Sequence, residues 1–437
     1  MRHPYFRVLA ILLAPLLLSA RPTEPPSKGE KIFARLQPLV FKVRTAISAE
    51  ANKSSYGTGF VVDRRGVLAT NFHVVAEALH QPKKYGIFVA IDGQQLAAQI
   101  LRVDLQNDLA LIKIAKPFTR VIPLARELPK QGNSTFSLGF PEDLNMTIVN
   151  GTYNEIINYG TYASLHLSTP INSGMSGGPT VNEAGEVVGV NVSRYVNANN
   201  ISFAVPVARL SKLLNSLDSL NSVETAPSSE KMRQAMLDQL NLIQESLTQD
   251  ILRAAQQQRV FAGFRIPQLP SYATCWTDKK DNTQSTSPFD AVSEQCHLNA
   301  SAYLAEQLGS VGSFYFDIQA VKRGTLNVFQ FLDLISSFFE EHLHDENFQQ
   351  LVEEDSPVLL SPAHCHFEEM SGQSHLLLRV EVCLQGYVDY SGLYDAQLKI
   401  VTPARGQESL VFKGVFKAFR RENIKRILKQ MVTQVGV

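Results

Sequence analysis

Between residues 31 and 207 the chain alternates short apolar runs with Gly, Asn and Pro, and helical periodicity is scarce. The clearest apolar runs are residues 59–62, 85–91, 109–114 and 186–192. Short runs bounded by turn-forming residues are typical of β-strands. This region is therefore predicted to be all-β, with one helix, residues 206–220, at its end.

The composition favours packed domains and excludes a general nucleic-acid binder. Of the 437 residues, 44% are hydrophobic and 19% are charged, which is ample material for ordinary cores. Lys plus Arg and Asp plus Glu both number 41, so the chain has no overall basic field to attract nucleic acid. The length suggests more than one domain.

Residues 1–20 have the layout of a secretory signal peptide, with Arg2 and Arg7 before an apolar run that closes on Ser19 and Ala20. The alternative is a membrane anchor, but the run is about half of the roughly 20 apolar residues that span a bilayer. We expect cleavage near Ala20 and export to the periplasm or the medium, without membrane insertion of the mature chain. A Pro-rich tether is predicted over residues 21–31.

The C-terminal half is predicted to begin after a Ser-rich linker at residues 216–229. An apolar stripe from Met232 to Ala254 then predicts an amphipathic helix over residues 230–258. This helix either forms a coiled coil with a partner or packs on its own domain, and two clear heptads favour the second interpretation.

Residues 259–437 have mixed patterns that predict an α+β domain of unassigned function. Helices are expected at 298–308, 328–343 and 421–432, and strands at 376–383, 398–401 and 410–419. All four cysteines lie in this half, where export would allow two disulfides. Three pairings can be drawn, and proximity favours Cys275 with Cys296 and Cys365 with Cys383.

Ser176 lies in a dense group of small residues, INSGMSGGP, over residues 171–179. Glycines allow a tight turn that exposes a serine, and the amide groups of Gly174 and Ser176 could form an oxyanion hole for acyl transfer. A plain Gly-Ser turn is the alternative.

A serine nucleophile requires a base, and His73 follows an apolar run and small polar residues. Asp108 begins another apolar run, where a buried carboxylate could orient the imidazole. Each residue alone has a plainer interpretation, a core histidine and a solvated turn aspartate. The three together, in the order His73, Asp108, Ser176 within one all-β region, indicate a catalytic triad.

The chain here resembles the HtrA/Deg family of exported trypsin-fold serine proteases over about residues 32–215. The matching segments are GTGFVV (57–62), TNFHVV (70–75), NDLALIKI (107–114), INSGMSGGP (171–179) and ISFAVP (201–206). This resemblance implies a double β-barrel with His73 and Asp108 on the first barrel and Ser176 on the second. It also allows a trimer. The predicted fold class is thus an all-β, trypsin-like double barrel, a helical segment and an α+β C-terminal domain that is not a recognisable PDZ domain.

The sequence departs from that family around the nucleophile, where Met175 replaces a usual Asn, Ser173 a usual Pro and Ser168 a common Asp. Pro170 stands six residues before Ser176, where trypsin-like enzymes that select Arg or Lys carry Asp. Without a buried anion, cleavage after small or medium apolar residues is expected.

These observations predict an exported serine endopeptidase without a cofactor, acting on proteins or peptides, with a C-terminal domain that recruits substrates and is separable from the chemistry. A catalytically inactive protease-fold binding protein is the alternative. No metal site is expected, because the clusters His342-x-His344 and His364-Cys365-His366 lack a defined ligand spacing.

Overall fold

A computed structural model describes most of the chain after residue 24. The described residues are 25–49, 53–159, 162–192, 201–218, 226–280, 287–298, 302–304, 310–340, 358–372 and 375–436. The predicted signal peptide, the centre of the predicted linker, and His342 and His344 lie outside them.

Two closed antiparallel barrels make up the first half of the described chain, as the fold class predicts. The first barrel has the strand order β1-β2-β3-β6-β5-β4 and the second has the order β10-β11-β12-β9-β8-β7. The strands of the first are β1 (Val40–Ala46), β2 (Lys53–Asp63), β3 (Val67–Thr70), β4 (Gly86–Ile91), β5 (Gln94–Asp104) and β6 (Leu109–Ile114). The strands of the second are β7 (Ser134–Gly139), β8 (Thr147–Tyr159), β9 (Tyr162–Leu167), β10 (Pro179–Val181), β11 (Val187–Val192) and β12 (Ser202–Pro206).

Three helices accompany the barrels: α1 (Lys28–Leu36), α2 (Phe72–His80) and α3 (Val207–Asp218). The side chains of Ser27 and Glu30 cap the start of α1 reciprocally, and the last residues of the predicted tether, 28–31, form the first turn of this helix. Short 3-10 turns lie at Gln37–Leu39 and Pro141–Asp143. Helix α2 fills the connection between β3 and β4, and α3 follows β12 directly.

Helix α4 (Ser229–Ala254) joins the two halves of the molecule. The first part of its apolar stripe, Met232 to Ile243, packs into the core that the barrels share. The last part, Leu247 and Ile251, packs into the core of the C-terminal sheet. The stripe is therefore buried against this chain, and α4 ends four residues before its predicted end at residue 258.

The C-terminal half is α+β, as predicted. Its main element is a seven-stranded antiparallel sheet with the order β15-β16-β19-β23-β22-β21-β20. The strands of this half are β13 (Gln258–Phe261), β14 (Phe264–Pro267), β15 (Ala273–Lys280), β16 (Asp290–Leu298), β17 (Ala302–Tyr303), β18 (Ser310–Val311), β19 (Ser313–Lys322), β20 (His364–Ser371), β21 (Leu377–Gly386), β22 (Leu393–Val401) and β23 (Glu408–Arg420). Its helices are α5 (Val328–Glu340) and α6 (Arg421–Gln434).

The predicted helix at residues 298–308 is wrong for the residues that the structure describes there. Leu298 ends β16, and Ala302 and Tyr303 form β17, which pairs with β18. Ala302 and Leu304 are buried whereas Tyr303 between them is partly exposed, and this alternation with period two belongs to a strand.

Both disulfides in the structure join residues that lie directly opposite each other on neighbouring strands. Cys275 on β15 is bonded to Cys296 on β16, and Cys365 on β20 is bonded to Cys383 on β21. Each bond therefore ties an outermost strand of the sheet to its inner neighbour.

Candidate active site

The predicted catalytic segments meet where the two barrels touch. The Thr58 amide on β2 donates to the Ser176 carbonyl oxygen at 2.8 Å. Gly57 permits this approach, because a Cβ there would lie 2.5 Å from a methyl group of Val74 and 2.9 Å from the Ser176 oxygen. A larger residue at position 57 would push the Ser176 loop away from the first barrel.

Asp108 binds His73 with both carboxylate oxygens. Oδ1 accepts a hydrogen bond from the His73 amide at 2.9 Å, and Oδ2 lies 2.7 Å from the imidazole Nδ1. The aspartate is 1% exposed, whereas the side chain of His73 is 25% exposed. The carboxylate therefore orients the imidazole with Nδ1 inward, which leaves Nε2 for chemistry on the open side.

The position of His73 at the start of α2 explains why the buried carboxylate is tolerated. The first amide groups of a helix lack internal partners and form its positive end. The Asp108 backbone oxygen accepts from the Phe72 amide at 3.1 Å and from Asn71 Nδ2 at 2.8 Å. Asp108 has a left-handed backbone with φ 51°, a conformation in which Asp and Asn are enriched. The residue thus caps α2 with its main chain and its side chain together.

The turn around Ser176 depends on Gly174. Its φ is 87°, and a Cβ would lie 2.3 Å from the Phe140 carbonyl oxygen, so only glycine fits without displacement. Thr58 Oγ1 donates to the Gly174 carbonyl oxygen at 2.7 Å and accepts from the Phe140 amide at 3.2 Å. Within the described part of the chain, the Gly174 amide has no acceptor, as an oxyanion donor requires.

Asn191 on β11 holds the other side of this turn. Its Nδ2 donates to the carbonyl oxygens of Leu138 and Met175 at 3.1 and 3.3 Å. The backbone amide of Asn191 donates to the Gly178 carbonyl oxygen at 2.8 Å. The backbone amide of Gly177 donates to the Asn191 carbonyl oxygen at 3.0 Å. The side chain of Met175 is fully buried, so this departure from the family is packed into the protein instead of facing the site.

The structure brings the predicted site residues together as follows. His73 and Asp108 lie on the first barrel and are hydrogen bonded, and the Ser176 loop of the second barrel touches β2. Pro170 is exposed. Sequence reasoning did not identify Thr58, Asn71 and Asn191 as supports, although Thr58 lies within the quoted GTG and Asn71 within TNFH.

The described residues include two groups with metal-ligand chemistry, Cys275 with Glu294 and Cys296, and Cys365 with Glu381 and Cys383. In both groups the two sulfur atoms are bonded to each other. A disulfide has no thiolate to offer a metal, so these groups are not metal sites in this state.

Comparison with known proteins shows what the first half of the chain is similar to. Residues 57–190 match the family described as "Trypsin-like peptidase domain". The chain is 32% identical over 192 residues to the probable periplasmic serine endoprotease DegP-like of Pseudomonas fluorescens, covering 42% of this chain and 38% of that protein. It is 32% identical over 213 residues to the serine endoprotease DegS of Escherichia coli K12, and this match covers 44% of this chain and 58% of that protein. The resemblance to HtrA-like trypsin-fold serine proteases is therefore confirmed for the N-terminal half.

Among solved structures, a serine endoprotease from Yersinia pestis is 28% identical and matches 45% of this chain and 69% of that chain, with a TM-score of 0.39. The chain spans between about two fifths and three fifths of the curated relatives just named. No helix among the described residues has both the length and the apolar character that a membrane crossing requires.

Proposed function

We propose that this protein is a serine endopeptidase with Ser176 as nucleophile, His73 as general base and acid, and Asp108 as the group that orients His73. The observation that carries the proposal is the double hydrogen bond of the buried Asp108 carboxylate to His73, with the glycine-dependent Ser176 turn on the facing barrel. A core histidine that only donates a hydrogen bond to a backbone carbonyl would require neither a buried carboxylate nor a serine turn opposite it.

The proposed reaction begins when Ser176 Oγ attacks the scissile carbonyl carbon and His73 Nε2 accepts the hydroxyl proton. The carbonyl oxygen becomes negative and accepts hydrogen bonds from the amides of Gly174 and Ser176. The C–N bond then breaks, the leaving amine takes the proton from His73, and an acyl-enzyme ester remains. Water, deprotonated by His73, attacks the ester, and the proton returns to Ser176 as the acid product leaves.

The substrates are proposed to be proteins or peptides cleaved after small or medium apolar residues. Pro170 provides no anion at the position where Arg- or Lys-selective enzymes of this fold carry one. A cationic substrate side chain beside Pro170 would lose part of its hydration without gaining an anionic partner. The proposed enzyme therefore prefers substrates with an uncharged, apolar side chain before the scissile bond.

The protein is proposed to act after export, in the periplasm or outside the cell. The signal-like residues 1–20 support this location, as do two disulfides, which persist in oxidising compartments. A named relative is described as periplasmic. The C-terminal half is proposed to recruit substrate proteins.

A serine-directed fluorophosphonate probe tests the proposal on the mature chain. The wild type should be labelled and Ser176→Ala should not. Ser173→Ala is the matched control, because Ser173 is an exposed serine of the same loop and should leave labelling intact. A folded wild type that takes no label would instead support the inactive binding protein, in which the loop of residues 173–175 holds the oxyanion donors out of place.

A further inference from the structure

The C-terminal half of the chain contacts the helix that carries His73. Tyr303, on the short strand β17, packs edge-on against the His73 ring with the ring centroids 5.6 Å apart and an angle of 63° between the rings. It also packs edge-on against Phe72, with centroids 6.1 Å apart. A side chain from beyond the predicted linker thus touches the proposed catalytic base.

The same region holds the other end of α2. His80, the last residue of that helix, is partly buried, and its Nε2 lies 2.8 Å from the Leu304 carbonyl oxygen. Its Nδ1 lies 2.9 Å from the Tyr390 hydroxyl. Because Leu304 offers only an acceptor, Nε2 carries the proton and Nδ1 accepts from Tyr390. Both imidazole nitrogens of a neutral His80 therefore form hydrogen bonds with residues of the C-terminal half.

A third contact holds the segment that leads to Asp108. Gln239 on α4 accepts a hydrogen bond from the Leu105 amide at 2.9 Å and donates one to the Val103 oxygen at 2.9 Å. The Tyr303 amide donates to the Leu105 oxygen at 3.3 Å. The backbone of residues 103–105 is thereby bound on two sides, only three residues before the proposed orienting carboxylate.

We infer that these four residues, Gln239, Tyr303, Leu304 and Tyr390, form a brace that positions His73 and Asp108 for catalysis. Tyr303 is its principal positioning residue. A nine-residue helix is marginal by itself, and misplacing a catalytic group by about 1 Å can cost about 10²-fold in rate. The edge of the Tyr303 ring limits rotation of the imidazole away from Asp108, and the His80 clamp fixes the helix that carries it.

This inference rests on the proposed function and deepens it. It departs from the separable arrangement expected from the sequence, because the C-terminal half then belongs to the catalytic unit. The core continues across the junction: Ala302, Leu304 and Tyr390 lie in the same apolar cluster as Phe72 and Leu105. Substrate recruitment by the exposed parts of the C-terminal half is compatible with this role.

The test compares full-length chains carrying Tyr303→Ala, Tyr303→Phe or the control Tyr394→Ala. Tyr394 is also a partly buried tyrosine of the C-terminal half, on β22 and packed against the separate core of that sheet. The readouts are the fluorophosphonate labelling rate, and kcat and KM on a short unstructured peptide. Loss of one aromatic contact should lower kcat and the labelling rate of Tyr303→Ala about three- to tenfold, with KM unchanged.

Tyr303→Phe keeps the ring edge and should restore wild-type kcat, and Tyr394→Ala should match the wild type in both readouts. A Tyr303→Ala protein as fast as the wild type would overturn the brace while leaving the peptidase proposal intact. An unlabelled wild type would overturn the proposed function and the brace with it. If thermal melting shows Tyr303→Ala to be unfolded, Tyr303→Leu replaces it. A slower Tyr303→Leu supports the brace, and one equal to Tyr303→Phe overturns it.

Discussion

Replacing Asp108 by Asn separates the geometry of the proposed triad from its charge. Asn tolerates the left-handed backbone of position 108, and its side chain has the same shape, so the fold should survive. The partly buried amide of His73 still requires an acceptor, so the Asn oxygen must face it. The Asn NH2 group then faces Nδ1, which forces the imidazole proton onto Nε2, where it blocks acceptance of the serine proton.

The size of the effect follows from these contacts. Turning the amide the other way restores the useful tautomer but costs about 1–3 kcal/mol, because the His73 amide then loses its acceptor. The variant also lacks the negative charge facing the imidazolium, an interaction of about 4 kcal/mol at ~4 Å and an effective dielectric of ~20. The sum of about 5–7 kcal/mol corresponds to a loss of about 10⁴–10⁵ in turnover. The corresponding change in a well-studied serine protease triad costs about 10⁴.

The assay is kcat/KM on a short peptide with an apolar residue before the scissile bond, together with the probe-labelling rate. Asp104→Asn is the matched control, because Asp104 accepts two hydrogen bonds from Asn107 in the same turn without contacting His73. The control should lose less than about tenfold, the size of one modest hydrogen bond. If a folded Asp108→Asn protein retains turnover within about tenfold of the wild type, Asp108 does not orient the base.

Three further outcomes are expected. Gly174→Ala should lower kcat by about 10²–10³ in peptide assays, because the new methyl group displaces the turn from the Phe140 oxygen and misplaces one oxyanion donor. Burial, with a smaller contribution from Arg233, lowers the pKa of His80 despite its hydrogen bond to Leu304. At acidic pH the unfolded chain therefore binds more protons at this residue than the folded protein does. The melting temperature should then fall as pH drops below about 6.5, and this acid loss should shrink in His80→Gln. Reducing both disulfides should lower the melting temperature, measured with and without a reductant, without abolishing probe labelling, because both bonds join strands of the C-terminal sheet and neither involves a residue of the proposed triad.

The barrels and the proposed triad could be predicted because their determinants are local. The strand β6 coincides with the predicted run 109–114, where each residue is apolar except Lys113. Each residue of the proposed triad lies in a short segment that can be recognised by itself. These segments are TNFHVV for His73, NDLALIKI for Asp108 and INSGMSGGP for Ser176. The turn at Gly174 is specified by the glycine itself, since its backbone conformation excludes a side chain.

The contacts of the C-terminal half with α2 could not be predicted in that way. His80 bonds to residues 224 and 310 positions further along the chain, and no local pattern encodes such a pairing. Tyr303 lies in a stretch whose Leu and Ala content favours a helix, and only its packing against the first barrel makes the short strand β17 preferable. Tertiary contacts override local propensity there.

A sheet of seven strands has two edge strands. Each edge strand has unpaired backbone groups to which another molecule can add a strand. In this protein the disulfides are placed at both edges, joining β15 to β16 and β20 to β21. An edge strand that is bonded covalently to its neighbour cannot dissociate from the sheet. Thermal fluctuation therefore does not expose the backbone groups of the inner strands. Loss of these two bonds would therefore be seen first as fraying of the edge strands and self-association in concentrated solution, before any change in the chemistry of the proposed triad.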